Sequence, residues 1–300
     1  MRGGGVAPTR AGWYGVPMLG RGLTGIAGRP FVDLEPFIDL TALASLDDEI
    51  CYALAQIPTD YTGGCHRSMG IMPEAFAKEP WADHGEVIRA MTDREFLVFA
   101  SLSDAPHLLD PARRAELTFG EERAVPLSRR QMLHLEMKHG VYFPWKVYVE
   151  LMPGGPLEKK SDPAGKRWTR DALVHLPRTV EFVRRLPFAS VGSVKLLGLR
   201  ANDHGTVHRD ADPAVKTTVD PFITFCPGRK KRLFLWDDVE GTRTHIDARA
   251  FWFNDSDYHG VEADPWFRYS IRVDGAFAGG FLERALGSLN AGSAATSTRG

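Results

Sequence analysis

The chain has 300 residues, 43% hydrophobic and 25% charged, and its 37 Lys and Arg nearly balance 38 Asp and Glu, for a formal net charge of −1. That length buries a sizeable core in one large domain or two small ones. Balanced charge argues against nucleic acid or an anionic membrane as partner, and no apolar run approaches the roughly 18–20 residues of a membrane span. The start, MRGGGVAPTRAGWYGVPMLGRG, lacks the apolar stretch of a secretory signal. Cys51, Cys65 and Cys226 are an odd set at unrelated spacings, as expected in a reducing cytoplasm. Cys226, after the apolar FITF, reads as core packing.

Residues 1–28 are rich in Gly without a repeating apolar pattern and read as a flexible arm. From Pro36 to Ile57 apolar residues recur at helical spacing, which predicts a helix. A second helix is expected over Trp81–Met91, and DREFLVFASL after it reads as a strand. Ser128 with Gln131 three residues on, and Gly140 at the stop position, predict a helix over 129–139. That helix holds His134, Glu136 and His139. Residues two apart on a helix point about 200° from one another and five apart about 140°, so the three do not share a metal. VYFPWKVYVEL (141–151) alternates Val141, Phe143, Trp145, Val147, Val149 and Leu151 on one side, a strand pattern. The charged, Gly- and Pro-containing stretch 153–168 is long enough to be a lid or an ordinary solvated loop. TRDALVHLPRTVEFVRRL (169–186) opens with a Thr cap and reads as one helix bent at Pro177.

After Leu186 the texture changes to short β-rich runs: SVKLLGLRA, PFITFC, KRLFLWDD, TRTHID, ARAFWFND and WFRYSIRVDG. Runs spaced roughly ten residues apart predict an antiparallel sandwich or barrel. The domain frame that follows is an arm (1–28), a helix-rich part packing on the core (29–185), a catalytic core (186–285, with strand 141–151) and a disordered tail (286–300).

Two stretches in that core carry chemistry, LRANDHGTVHRDADP and, 49 residues from Asp210 to His259, DSDYHGVEADPWFRYSIRVDG. On an extended chain His208 and Asp210 project to one side, and His259 from a later strand completes three ligands on one face of a metal. Two imidazoles and one carboxylate with the opposite positions open suit Fe(II) that must bind a cosubstrate and oxygen. Arg268, Ser270 and Arg272 share one face of a strand, and an Arg fork beside a hydroxyl holds the far carboxylate of a dicarboxylic cosubstrate. His204, about 13 Å from His208 along an extended chain, is the rival ligand, and His245 on TRTHID reads as structural.

The H-x-D…H order with R-x-S resembles the Fe(II)/2-oxoglutarate-dependent oxygenases. LPF…VGSVKLLGLRANDHGTVHRD followed by RAFWFNDSDYHGVEADPWFRYSIRVD is most similar to the aspartyl/asparaginyl β-hydroxylase-like branch, which includes bacterial amino-acid hydroxylases. The resemblance implies a mainly β core, a double-stranded β-helix (cupin-like jelly roll), cased by a helical N-terminal half. It implies His208, Asp210 and His259 as ligands of Fe(II), and Arg268 and Ser270 on the 2-oxoglutarate C5 carboxylate. O2 would be the oxidant, ascorbate a supporting reductant, and a small molecule the partner. The branch often carries an Arg and a His on the strand after the first ligands; here AVKTTVDPFITF leaves Lys216, Thr217 and Thr218, and Thr217 is taken as a cosubstrate contact. The implied reaction hydroxylates an unactivated C–H of an amino acid or amino-acid-derived metabolite, releasing succinate and CO2. Asp210 argues against halogenation, which needs that position free. Arg272, Arg200 and Lys195 are candidates for a substrate carboxylate. Desaturation or cyclisation, a peptide or carrier-bound substrate, a zinc hydrolase on the same triad and a non-enzymatic ligand-binding jelly roll stay open as alternatives.

Overall fold

The computed structural model describes residues 22–59, 84–118, 125–144, 146–155 and 159–287. Cys65, Trp145, Glu158, residues 1–21 of the expected arm and 288–300 of the expected tail lie outside them. Residues 22–28 are tied to the rest of the chain: Gly22 N–H donates to Asp238, and the Thr24 and Gly25 N–H groups donate to the Asp257 carboxylate at 2.9 and 2.6 Å.

After a short strand β1 (Phe31–Asp33), α1 (Leu43–Leu54) buries Leu43, Leu46, Ile50 and Ala53, a single stripe at helical spacing. Helix α2 is His84–Ala90. DREFLVFASL, expected as a strand, is helix α3 (Asp93–Ser101). Two local signals outweigh its β-branched and aromatic content. Thr92 and Glu95 form a capping box, and Phe96, Phe99 and Ala100 fall three and four apart on the buried face. Helix α4 (Arg129–His139) has the expected bounds, with the Ser128–Gln131 capping box and Gly140 at φ 72° as its left-handed stop. These helices close a second apolar cluster, Val87 to Phe143, separate from the main core.

The strand expected over 141–151 begins only at Val147 (β2, Val147–Met152). Pro144 has no N–H to give a ladder, and Lys146 N–H turns back to its carbonyl at 2.9 Å. Val141 and Phe143 bury in the helical cluster instead. The helix expected over 169–186 is two, α5 (Arg170–His175) and α6 (Pro177–Arg184), broken at Leu176 (φ −130°, ψ 40°). Pro177 is the first residue of α6, where a missing N–H costs nothing. Glu49 of α1 caps that helix, accepting from the Arg178 and Thr179 N–H groups, both at 2.8 Å, and from the Thr179 hydroxyl at 2.7 Å.

The six expected runs of the core are β3 (Phe188–Leu199), β5 (Phe222–Phe225), β6 (Leu233–Asp237), β7 (Thr242–His245), β8 (Ala250–Phe253) and β10 (Arg268–Phe277). Two further strands, β4 (Gly205–His208) and β9 (His259–Val261), are too short and polar to show a pattern. All pair antiparallel in two sheets, ordered β1-β8-β5-β10-β3-β2 and β4-β9-β6-β7. From β3 to β10 the chain changes sheet at every connection except the β6–β7 hairpin. Strand alternation on β10 divides two environments. Tyr269, Ile271 and Val273 enter the main core under α1 and α6, while Arg268, Ser270, Arg272 and Asp274 face the four-stranded sheet. No helix among the described residues is long and apolar enough to cross a membrane.

Candidate metal centre

His208 ends β4 and His259 opens β9, and the two residues are direct register partners in the four-stranded sheet. Their rings lie side by side, centroids 4.5 Å apart. Asp210, in the turn after β4, brings Oδ1 within 3.6 Å of His208 Nε2 and 3.8 Å of His259 Nε2. One ligand atom from each residue falls within 4.8 Å of the others, and among the described residues this is the one group of three that meets this spacing.

The donor chemistry fits a divalent metal. His259 Nδ1 lies 2.9 Å from the Asp257 carbonyl, which fixes the proton on Nδ1 and turns the Nε2 lone pair toward Asp210. Burial, and then the neighbouring His208, push the His259 pKa down to about 4, so the ring is neutral at pH 7. Burial raises the Asp210 pKa, but the hydrogen bond from His208, with His259 and Arg272 beside it, outweighs burial and holds the carboxyl well below the usual range. A neutral His259 with its Nε2 lone pair free and an ionised Asp210 are forms a metal binds. Phe253 packs edge-on against the His259 ring at 5.0 Å and fixes its plane.

The remaining expected residues separate. Arg268 is buried at 1% exposure, with its guanidinium turned into the backbone. It donates to the carbonyls of Asp203 (2.8 Å), Lys231 (3.3 Å), Trp266 (3.3 Å) and Glu262. Ser270 accepts instead from the buried Lys231 ammonium at 2.8 Å. Arg272 is the guanidinium beside the triad, donating to Asp210 Oδ2 at 3.0 Å. Thr217 is exposed, and Arg200 is exposed on the α1 side, lining a cavity with Cys51, Leu54 and Phe267. Lys195 is the register partner of Arg272 on β3. His204 stacks on Tyr142 at 5.4 Å, and His245 pairs with Glu262 at 3.0 Å on the surface. His134 and His139 meet edge to face, whereas Glu136 turns to Lys146.

Three residues escaped the sequence reading: Lys231, Asp255 and Lys160. Burial drives the Lys231 pKa down to about 7. In the sequence it hides within the basic run RKKR, though it shares the period-two register of the buried Leu233 and Leu235. Asp255 is fully buried and gathers Arg272 (2.6 Å), Lys160 (2.9 Å) and Lys216 (3.0 Å). Lys160, on the 153–168 stretch, is 6% exposed and also pairs with Asp220 at 2.7 Å, so this part of the stretch is docked on the core.

No protein-family profile matches the sequence, and no curated protein does. Among solved structures, the chain is similar to an oxidoreductase of the 2OG-Fe(II) oxygenase family from Burkholderia pseudomallei, at 10% identity and TM-score 0.30. That match covers 42% of this chain and 66% of that one, just under two thirds of its length. A viral collagen prolyl hydroxylase from Paramecium Bursaria Chlorella virus-1, in complex with 2OG, matches at 10% identity and TM-score 0.24 over 43% of this chain and 77% of that one. AviO1 from Streptomyces viridochromogenes matches at 11% identity and TM-score 0.25 over 75% of this chain and 93% of that one. These TM-scores are low, and the chemistry of the site stands on its own side chains.

Proposed function

We propose that the chain is an Fe(II)- and 2-oxoglutarate-dependent oxygenase that hydroxylates an unactivated C–H of an amino acid or amino-acid-derived small molecule in the cytoplasm. The two sheets are read as the halves of a double-stranded β-helix, with residues 186–285 as the catalytic core. The observation that carries the reading is the cluster itself: two imidazoles and one carboxylate whose ligand atoms lie within 4.8 Å of one another. That set leaves the opposite coordination positions open for a cosubstrate and a gas.

His208, Asp210 and His259 hold the iron. Bound iron with 2-oxoglutarate and O2 supplies the oxidising power for C–H attack, with release of succinate and CO2. The chain orients the reactants and keeps water away. Lys231 and Ser270, 2.8 Å apart between the sheets, hold the distal carboxylate of 2-oxoglutarate. Arg268, on the same face of β10, braces that pair through its bond to the Lys231 carbonyl, and adds a charge-assisted bond to the carboxylate when a backbone bond is released. Thr217 and Arg200 are more distant candidates, for the cosubstrate and the substrate respectively.

The test is succinate release with Fe(II) and ascorbate against a panel of amino acids and dipeptides, with mass spectrometry under labelled O2. A product one labelled oxygen heavier is expected, and His208→Ala and His259→Ala should abolish both turnover and metal uptake. A product two hydrogens lighter overturns hydroxylation alone. Zinc-dependent hydrolysis without succinate overturns the oxygenase.

A further inference from the structure

Asp210 is held at both ends by one residue. Its backbone N–H donates to the Asp255 carbonyl at 2.9 Å. Its Oδ2 accepts from Arg272 Nη1 at 3.0 Å, while Arg272 Nη2 donates to the Asp255 carboxylate at 2.6 Å. The loop closes on itself: Asp210 carboxylate, Arg272, Asp255 carboxylate, Asp255 carbonyl, Asp210 amide. Only Oδ1 is left to face the two imidazoles, at 3.6 and 3.8 Å.

From this geometry we infer that Asp255 is a positioning residue that, through Arg272, restricts Asp210 to one-oxygen ligation and so keeps a coordination position open. The inference rests on the metal reading above. A free carboxylate beside a divalent ion can turn both oxygens to it, which removes a position that a cosubstrate or gas needs. Bonding Oδ2 to a guanidinium prevents that rotation.

The clamp is built rigidly. Arg272 is fixed on its third side by Asp274, whose other oxygen accepts from Ser193 at 2.8 Å, and its guanidinium lies 3.7 Å over the Phe222 ring. Asp255 is 0% exposed and balanced by Lys160 and Lys216, which are shared with Asp220 at 2.7 and 2.6 Å. A buried carboxylate with three cationic partners is costly to desolvate unless each partner stays in place, so the arrangement has few alternatives. Ligating side chains generally depend on such outer hydrogen bonds for their orientation.

Mn(II) is the probe. Electron paramagnetic resonance gives its affinity, and water-proton relaxation dispersion counts exchangeable waters on the bound ion. Wild type and Ser193→Ala, which loses a bond to Asp274 but none to Asp210 or Asp255, should each bind one ion carrying about three waters, the open positions of a three-ligand octahedral site. Asp255→Asn and Arg272→Lys should bind it with about one water fewer, as Asp210 turns its second oxygen to the metal. Their affinity should change by several-fold. Should Asp255→Asn fail to fold, Arg272→Lys, which keeps the positive charge but not the fork, carries the test. Folded variants with the wild-type water count and affinity overturn the positioning role. A wild-type protein that takes up no Mn(II) overturns the metal reading instead.

Discussion

Lys231→Met removes a buried charge whose protonated form is disfavoured by burial, and should make the protein more stable at neutral and acid pH. Lys231 is 3% exposed, and burial lowers its pKa from 10.5 to about 7, with Arg268 adding to the drop and the Cys226 thiol opposing it. A difference of that size corresponds to about 5 kcal/mol between charged and neutral forms. Below pH 7 the folded and unfolded chains both carry the proton, so the folded state bears the whole desolvation cost. Between 7 and 10.5 the unfolded chain binds a proton that the folded chain does not, and stability rises by about 1.4 kcal/mol per pH unit. The variant should therefore exceed wild type by up to about 5 kcal/mol at pH 6, with the gap closing as pH approaches 10. Urea unfolding at pH 6, 8 and 10 reads the difference, in which titrations common to both proteins cancel. The same variant should lose 2-oxoglutarate binding, and the wild-type affinity should weaken about tenfold per pH unit above 7, because the carboxylate needs a protonated ammonium. Parallel stability–pH curves for the two proteins would refute the argument.

Glu49→Gln should lower stability by about 1–2 kcal/mol, because the α6 cap loses its charge against the helix N-terminus. The loss appears as a lower urea midpoint with unchanged slope, and metal uptake stays intact. Gly192→Ala places a Cβ 2.3 Å from the Lys160 carbonyl, a backbone atom that cannot turn aside. The Lys160 segment must lift from β3, at a cost of about 1–3 kcal/mol. Proteolysis within 159–168 should then be faster than in wild type, and an unchanged cleavage rate would show that the segment does not depend on this contact.

Much of the core was legible because its signals are local. Each of the six expected β-rich runs became a strand, and the Ser128–Gln131 box with Gly140 fixed both ends of α4. The errors came where local signals compete. DREFLVFASL has strand-like residues but helical caps, and the caps prevail because they satisfy backbone groups that would otherwise be orphaned. Pro144 cut short an alternation that looked continuous from Val141 to Leu151. Strands β4 and β9, which carry both imidazoles, have no pattern of their own. Their four and three residues are held in register by β6 and by the β4–β9 pairing, not by alternation.

The triad was readable for a different reason than the residues around it. His208 and Asp210 stand two apart, and His259, 49 residues past Asp210, follows in the H-x-D…H order with R-x-S, so the motif picked out all three. The buried charges around them do not stand out, because a buried lysine and a solvated one are the same letter. Lys231 lies beside the half-exposed Lys230, which pairs with Asp247 at 2.5 Å on the surface, and only the period-two register with Leu233 and Leu235 hints at the difference. What separates them is the left-handed turn at Arg232 (φ 59°) and the arrival of Ser270 from a strand 39 residues away. Arg268 shows the converse. Its place in an R-x-S motif suggested a fork offered to a ligand, yet four carbonyls converge on it, those of Lys231 and Asp203 from 37 and 65 residues away. Backbone oxygens are present at every position in a sequence and so carry no signal there. In the reading proposed above, a guanidinium that reaches several of them serves as a brace, and Lys231, the cation nearest the Ser270 hydroxyl, is the proposed ligand contact.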